Sequence, residues 1–341
     1  MGADSNPVTD SDLGVRLTCR IAVLLASLVL APGLVSPPAD AAPTRRIAYL
    51  SMDPPAVHVP FAAAFRDGLR ENGLIEGKDI SIEWRFAAND ASVLPRLVSE
   101  LLASNPELVV ADATQAALAT QRATRTIPIV VPTSGDLVRV GLVKSLAHPG
   151  GNLTGLTLMS PGLIGKRLAV LKEMAPHIRT VAVLLNPDNP AAEPQIREAQ
   201  AAAAQLDLRL QPIPIRQPQE IDRLLSSYAR RIDAVFVTDD PIMDDFRTAI
   251  GVVAIKNHLP SICSYRMPED KSCLMWYGPD LLGMYKRAAS YVAKILNGAK
   301  PADLPVEQPA KLSLVINAKT ASDIGLAIPQ SLLLSADEVV R

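Results

Sequence analysis

Six short segments carry the residue types that bind small charged molecules. Three lie in the first half of the chain: Ser51-Met52-Asp53, Asp112-Ala113-Thr114 and Thr133-Ser134-Gly135-Asp136. Three lie in the second: Asn186-Pro187-Asp188-Asn189, Thr238-Asp239-Asp240 and Ser264-Tyr265-Arg266. A carboxylate can hold an ammonium, while hydroxyls, amides and the free N–H groups of a helix start can hold a carboxylate. Thr114 opens a predicted helix, where its hydroxyl serves as a cap, a ligand contact, or both. Asp136 and Asp240 suit a ligand ammonium, and each equally suits a turn or a helix cap. Tyr265, Trp276 and Tyr277 offer ring faces to a ligand or to a packed core.

Nothing in the sequence pairs a nucleophile with a base. The phosphate-loop, dinucleotide, nucleophile-elbow and zinc-protease motifs are all absent. The histidines (His58, His148, His177 and His258) are scattered, and His177 and His258 fall near helix ends, where a cation complements the dipole. No metal site or cofactor is expected. Asn152-Leu153-Thr154 matches a glycosylation sequon but reads more simply as part of a turn.

The elements that must position these segments follow a regular rhythm from Arg46 onward. Short apolar runs alternate with amphipathic stretches, the signature of βαβ units and parallel sheets. Strands are expected at 47–50, 80–85, 108–111 and 127–131, with helices over 61–71, 93–104 and 114–124 between them. The rhythm restarts with helices over 163–174, 193–205, 220–230 and 244–257. The strands of this second run are expected at 181–185, 208–213, 234–237 and from 261. His148–Thr154 (HPGGNLT) is the expected crossover between the runs. A helix over 280–297, a strand over 312–316 and a short helix over 320–325 complete sheets begun earlier. The fold class is therefore α/β, with two doubly wound, Rossmann-like lobes joined by a multi-crossover hinge, a clamshell that can enclose a small ligand. In open parallel sheets ligands sit beyond the carboxyl ends of the strands, which is where the six segments fall.

Composition agrees. The 341 residues include 34 Lys+Arg and 35 Asp+Glu, and 48% are hydrophobic, so the chain can bury a large core and is not intrinsically disordered. Near-neutral charge and 4% aromatics exclude the footprint of a nucleic-acid binder. At about 150 residues per domain the length suits two domains. Arg16 and Arg20 precede an apolar run, Ile21–Ala31, that is too short to span a bilayer and fits a signal peptide. Ala39-Asp40-Ala41 reads as its cleavage site, so residues 1–41 are expected to be removed and the protein to reach the periplasm. Asp4, Asp10 and Asp12 make the extreme N-terminus acidic, which points to a translation start near Val15. Cys19 precedes the apolar run and no cysteine follows it at the cleavage site, so a freely soluble form is expected. Cys263 and Cys273 remain, a pair able to close a disulfide around Ser264–Ser272 in an oxidising compartment.

Several stretches carry a resemblance. Gly135-Asp136, Gly141-Leu142-Val143, Ser145-Leu146-Ala147 and Pro149–Gly155 resemble the ABC-transporter substrate-binding proteins, in the group that includes the tryptophan-binding TrpX-like proteins. The likeness continues through Asn186–Pro190, Leu274-Met275 and Tyr277-Gly278-Pro279, and ends with Gly298–Pro309 (GAKPADLPVEQP) and Leu314–Asn317. It covers residues 46–341 and implies a type I periplasmic-binding fold. Leu137, Arg139, the Arg266–Cys273 stretch and Trp276 depart from the family pattern, which leads to the expectation of a reshaped pocket.

The reading that follows is a periplasmic receptor for an ABC importer, capturing an amino-acid-like molecule, aromatic ones included, without cofactor or catalysis. The alternatives are an exported α/β enzyme and a ligand sensor for a membrane signalling partner. Expected boundaries are 42–154 plus 275–305 for lobe one and 155–274 plus 306–341 for lobe two. Expected ligand contacts are Ser51, Thr114, Ser134 and Asp136 from lobe one and Asn186, Asp240 and Tyr265 from lobe two, with Tyr277 near the hinge. The expected partners are the small molecule and an inner-membrane ABC permease, with no nucleic acid, and the expected state is a monomer.

Overall fold

The apolar runs become strands and the amphipathic stretches become helices across the computed structural model, which describes residues 44–158, 162–267 and 270–341. The leader expected over residues 1–41, with its cleavage near Ala41, lies outside the described residues. The first lobe is built on β1 (Arg45–Ser51), β2 (Ile80–Phe86), β3 (Leu108–Asp112), β4 (Ile129–Val131) and β5 (Leu153–Gly155), all parallel in the order β2-β1-β3-β4-β5. Between these strands run α1 (Pro55–Glu71), α2 (Leu94–Ala103) and α3 (Thr114–Ala123).

The second lobe begins with α4 (Leu163–Met174), β6 (Thr180–Leu185), α5 (Ala192–Gln205), β7 (Arg209–Pro214) and α6 (Gln219–Tyr228). It continues with β8 (Ala234–Val237), α7 (Pro241–Asp245), α8 (Arg247–Lys256), β9 (Ser261–Cys263) and β10 (Met275–Pro279). The chain then returns to lobe one as α9 (Leu281–Leu296). It finishes in lobe two with β11 (Leu312–Asn317), α10 (Ala318–Asp323), α11 (Gln330–Ser335) and β12 (Glu338–Val340). The second sheet runs β12-β11-β10-β9-β8-β6-β7, with β11 antiparallel to β10. Among the described residues no helix is long and apolar enough to cross a membrane.

Each sheet has an apolar cluster on both faces, as parallel sheets require. On one face of the first sheet α1 and α9 meet backbone to backbone. Phe61, Phe65 and Leu69 of α1 share a core with Met284, Ala288 and Val292 of α9. A Cβ on Gly68 would collide with the Lys286 carbonyl and the Ala289 methyl, so only glycine permits the approach.

Two expectations about organisation are corrected. His148–Thr154 is not the crossover: it delivers the chain into β5, and Asn152 fastens that loop by donating to the Thr124 and Ile127 carbonyls. With only three residues, β5 makes no apolar run of its own that would mark it in the sequence. Residues 275–279, assigned to lobe one, form β10 within the second sheet, parallel to β9 and antiparallel to β11. The return to lobe one starts after Pro279.

The crossings are tied together at Glu307. Its N–H donates to the Gly155 carbonyl (3.0 Å), its carbonyl accepts from Thr157 (2.9 Å), and Arg287 of α9 grips its carboxylate at 2.8 and 2.6 Å.

Cys263, at the end of β9, is disulfide-bonded to Cys273, with Cα atoms 6.3 Å apart. A ring spanning 10 positions is expected to contribute up to about 3 kcal/mol through the unfolded state. Replacing both cysteines with serine should lower the free energy of unfolding read by urea titration by a matching amount. A variant as stable as oxidised wild type would show that the bridge adds nothing.

Candidate ligand site between the lobes

In both sheets the strand order reverses beside the first strand of the lobe, at β1/β3 and at β6/β8. Open α/β sheets bind ligands beyond the carboxyl ends of the strands at such a point. The two reversal points face each other across one cavity. Asp53, Asp112, Thr114, Ser134 and Gly135 line it from lobe one, and Asn189, Asp239, Asp240, Asp244 and Tyr265 from lobe two. Phe61 and Tyr285, stacked with centroids 4.7 Å apart, add an aromatic wall together with Leu281.

The lobe-one floor is a closed hydrogen-bond network. Asp112 accepts from Thr133 Oγ1 (3.0 Å), Ser51 Oγ (3.2 Å) and Tyr285 OH (2.7 Å). His58 Nδ1 lies 2.9 Å from Asp53 Oδ2, so that nitrogen carries the proton, because an ionised carboxylate only accepts. Burial pushes the Asp112 carboxyl up to about 6, against the counter-pull of His58. Asp53, His58 and Asp112 bring three potential metal-ligand atoms within 4.8 Å of one another. Their mutual bonds and those from Ser51, Thr133 and Tyr285 already engage these atoms, while His58 Nε2 is buried with no partner.

Beside this floor α3 begins without a side-chain cap. Its N-cap is Ala113, held at φ 77°, ψ 161°. A non-glycine residue there is strained by roughly 1–3 kcal/mol, a cost that recurs at binding sites. Thr114 is the first helical residue rather than the cap. Its hydroxyl instead bonds Ser134 Oγ (2.9 Å) and accepts from the Gly135 N–H (3.3 Å). The helix start and these two hydroxyls form a seat for an anionic group.

Lobe two supplies the opposite chemistry. Asp240 caps α7, accepting from Ile242 and Met243 N–H, and also takes both Asn186 (3.1 Å) and Asn189 (2.7 Å) on its other oxygen. Burial still raises its carboxyl to about 6. Asp244 is raised well above the usual range, first by burial and also by Asp53, Asp239 and Asp240 around it, while Arg247 pulls it down. The Tyr265 hydroxyl donates to it. Asp239 is built in most firmly. Gln195 clamps its backbone through 2.9 and 3.0 Å bonds, and the fully buried Arg167 holds Oδ2 at 2.9 Å. Asp239 Oδ1 is buried with no partner. Five aspartates therefore line the cavity, and no lysine or arginine does among the described residues.

Of the expected contacts, Thr114, Ser134, Asp240 and Tyr265 line the cavity. Ser51 and Asn186 stand one layer behind, bonded to Asp112 and Asp240. Asp136 does not face it: it accepts from Val138 and Arg139 N–H to close a turn and pairs with the Arg139 side chain at 3.3 Å. Tyr277 lies outside too, packing on the lobe-two core while its carbonyl accepts from Arg167. Of the departures from the family pattern, Leu137, Arg139 and Trp276 do not reach this cavity, whereas Met267, Asp270, Lys271 and Ser272 of the Arg266–Cys273 stretch line the space adjoining it. Leu137 and Trp276 are buried in their own lobes, and Arg139 is exposed beside Asp136.

The strand-end segments contain Asp53, Asp112, Asp239 and Asn189, but the letters of these loops carry no signal of which carboxylates point inward. Phe61, Tyr285 and Asp244 come from helices, where their spacing reads as core or surface.

A sequence model of the family described as ABC transporter substrate-binding protein matches residues 59–340. A curated relative, the tyrosine-binding protein of Clostridioides difficile (strain R20291), is 26% identical over 275 residues, 81% of this chain and 78% of that one. Among solved structures, an ABC domain in complex with L-Trp from Streptococcus pneumonia superposes with a TM-score of 0.81 at 25% identity, covering 87% of this chain and all of that one. A conserved domain protein from Vibrio cholerae reaches 0.82 at 26% identity, with 87% and 99% covered.

Proposed function

Since the chain belongs to the ABC transporter substrate-binding protein family, we propose that it captures a free amino acid, aromatic by preference, between its lobes. In this reading the leader over residues 1–41 directs it to the periplasm, where it works as a monomer and delivers its cargo to an ABC permease. It binds without turning over its ligand. The names of the tyrosine-binding relative and of the L-Trp complex support the ligand class.

The observation that carries the reading is the unpartnered Asp239 Oδ1 in a cavity of five aspartates without a lysine or arginine among the described residues. A buried carboxylate oxygen left unpaired is costly, and a ligand ammonium supplies the missing donors. The ligand carboxylate then takes the start of α3 with Thr114 and Ser134. Because one end of the ligand is held by lobe one and the other by lobe two, it favours the closed form over the open one.

The test is a thermal-shift screen of the protein against the amino acids. A folded-state ligand raises the midpoint by mass action. A rise with tyrosine, tryptophan or phenylalanine and unchanged compound afterwards is the expected result. Turnover of the hit, or no rise with any amino acid, would overturn the reading.

pH gives a second check, with opposite signs for the empty and loaded protein. Asp112 and Asp240 titrate at about 6 when folded, against 3.8 as the ordinary value. Between those limits the folded chain holds more protons than the unfolded one, so stability falls as pH rises through 6. For Asp240 the span corresponds to about 3 kcal/mol. Ligand affinity should run the other way, rising with pH as the carboxylates ionise around the ammonium. Calorimetry from pH 5 to 7.5 reads both, and parallel trends would exclude an ammonium at this site.

A further inference from the structure

The cleft does not end at the cavity just described. A second chamber adjoins it between the first turns of α1 and one face of α8, with Phe61 and Asp244 lining both spaces. Ala56, Val57 and Pro60 form one side, and Val252, Ile255 and Met267 the other. Asp245, Asp270 and Lys271 supply polar groups to the same chamber. Val252 is 61% exposed, a large apolar side chain with nothing covering it.

The two volumes decide what each chamber can take. The inner one measures about 40 Å³ and the outer about 560 Å³. A single water needs roughly 10–15 Å³, and a cavity of about 150 Å³ accommodates benzene. With the lobes as they stand, the inner chamber has room for an ammonium and a carboxylate but not for a ring. The outer chamber holds a ring with space to spare, and its apolar side chains give such a ring a surface to lie on beside the charged groups of Asp245, Arg247, Asp270 and Lys271.

We propose that the outer chamber is the side-chain subsite: the amino-acid head group sits in the inner cavity and its large apolar side chain extends past Phe61 and Asp244 to lie between α1 and α8. This rests on the amino-acid reading above and sharpens it. The ligand class is L-amino acids with aromatic or larger side chains, bound with wide tolerance of size. Small amino acids leave the chamber empty and bind weakly.

Isothermal titration of wild type, V252W, A56W and V59W against L-phenylalanine and L-3-(2-naphthyl)alanine tests it. Tryptophan at 252 or 56 fills the chamber. Val59 is 63% exposed on α1 but does not line it and serves as the control. Expected results are naphthylalanine within about threefold of phenylalanine on wild type, and losses of about tenfold or more in V252W and A56W with V59W unchanged. Circular dichroism establishes that each variant is folded, and two filling variants guard against the loss of one. Wild type that binds phenylalanine while both filling variants bind it equally well overturns the chamber and leaves the amino-acid reading standing. Rejection of naphthylalanine by more than about thirtyfold does the same. Wild type that binds neither compound, nor any other amino acid, overturns both.

Discussion

Replacing Arg167 with methionine will lower the free energy of unfolding by about 3–5 kcal/mol, the cost of removing one partner from a buried ion pair. The guanidinium is fully buried on α4 and makes three ties at once: Asp239 Oδ2 at 2.9 Å, the Tyr277 carbonyl at 2.7 Å and the Ser264 carbonyl at 3.4 Å. It therefore ties the segments that follow β8 and β9 to the middle of β10, behind the lobe-two wall of the site. Methionine fills the volume but leaves the Asp239 carboxylate without a counter-charge. Measured against the roughly 5–15 kcal/mol total of an ordinary domain, this is a large fraction. The double variant R167M/D239N removes the orphaned charge and is expected to recover most of the loss. Urea titrations of the four proteins decide it. A single variant within about 1 kcal/mol of wild type, or a double no better than the single, would show that the pair is not what braces these segments.

Gly135→Ala will weaken ligand binding by about 5- to 150-fold while leaving the empty protein as stable as wild type. Gly135 sits on lobe one, and a Cβ there would stand 2.8 Å from the Ala191 methyl of lobe two. Carbon atoms pack best at about 3.5–4.0 Å, so the added methyl is a wedge between the lobes. Overpacking of this kind costs about 1–3 kcal/mol, charged here to the closed form alone, because an open hinge relieves it. The backbone bonds of Gly135, from its N–H to Thr114 and from Thr157 to its carbonyl, do not depend on its side chain. A second change, Ala191→Gly, removes the other half of the collision and should restore affinity. Titration calorimetry on the pair of variants reads the result. Unchanged affinity in G135A would mean that the ligand is held without the lobes meeting here. The Asn89–Asp245 hydrogen bond, 2.9 Å long and also spanning the lobes, offers an independent handle on the same closure.

Much of this architecture was legible from periodicity alone. Buried parallel strands are continuous apolar runs, so Leu108–Asp112 and Ala234–Val237 declare themselves, and Asn297-Gly298 marks the end of α9. The three-residue β5 carries no such signal, and the partner of β10 is a matter of tertiary pairing. At the site, the strand-end rule located the right loops but could not rank residues within them. Asp136 and Asp240 look alike as letters. One turns back to cap its own loop, whereas the other is drawn inward by Asn186, Asn189 and the start of α7. Arg167 reads as a surface residue on an amphipathic helix until the distant Asp239 and two carbonyls are brought to it by the fold.

The contact between α1 and α9 has a consequence for how the protein is made. The roughly 210 residues that separate these helices take about 10–40 s to synthesise. Throughout that interval Phe61, Phe65 and Leu69 have no α9 to cover them, and a neighbouring helix cannot substitute at the glycine-only crossing. The second lobe waits longer still, for β11 and β12 near the end of the chain. Neither lobe completes its core before α9, β11 and β12 have been made.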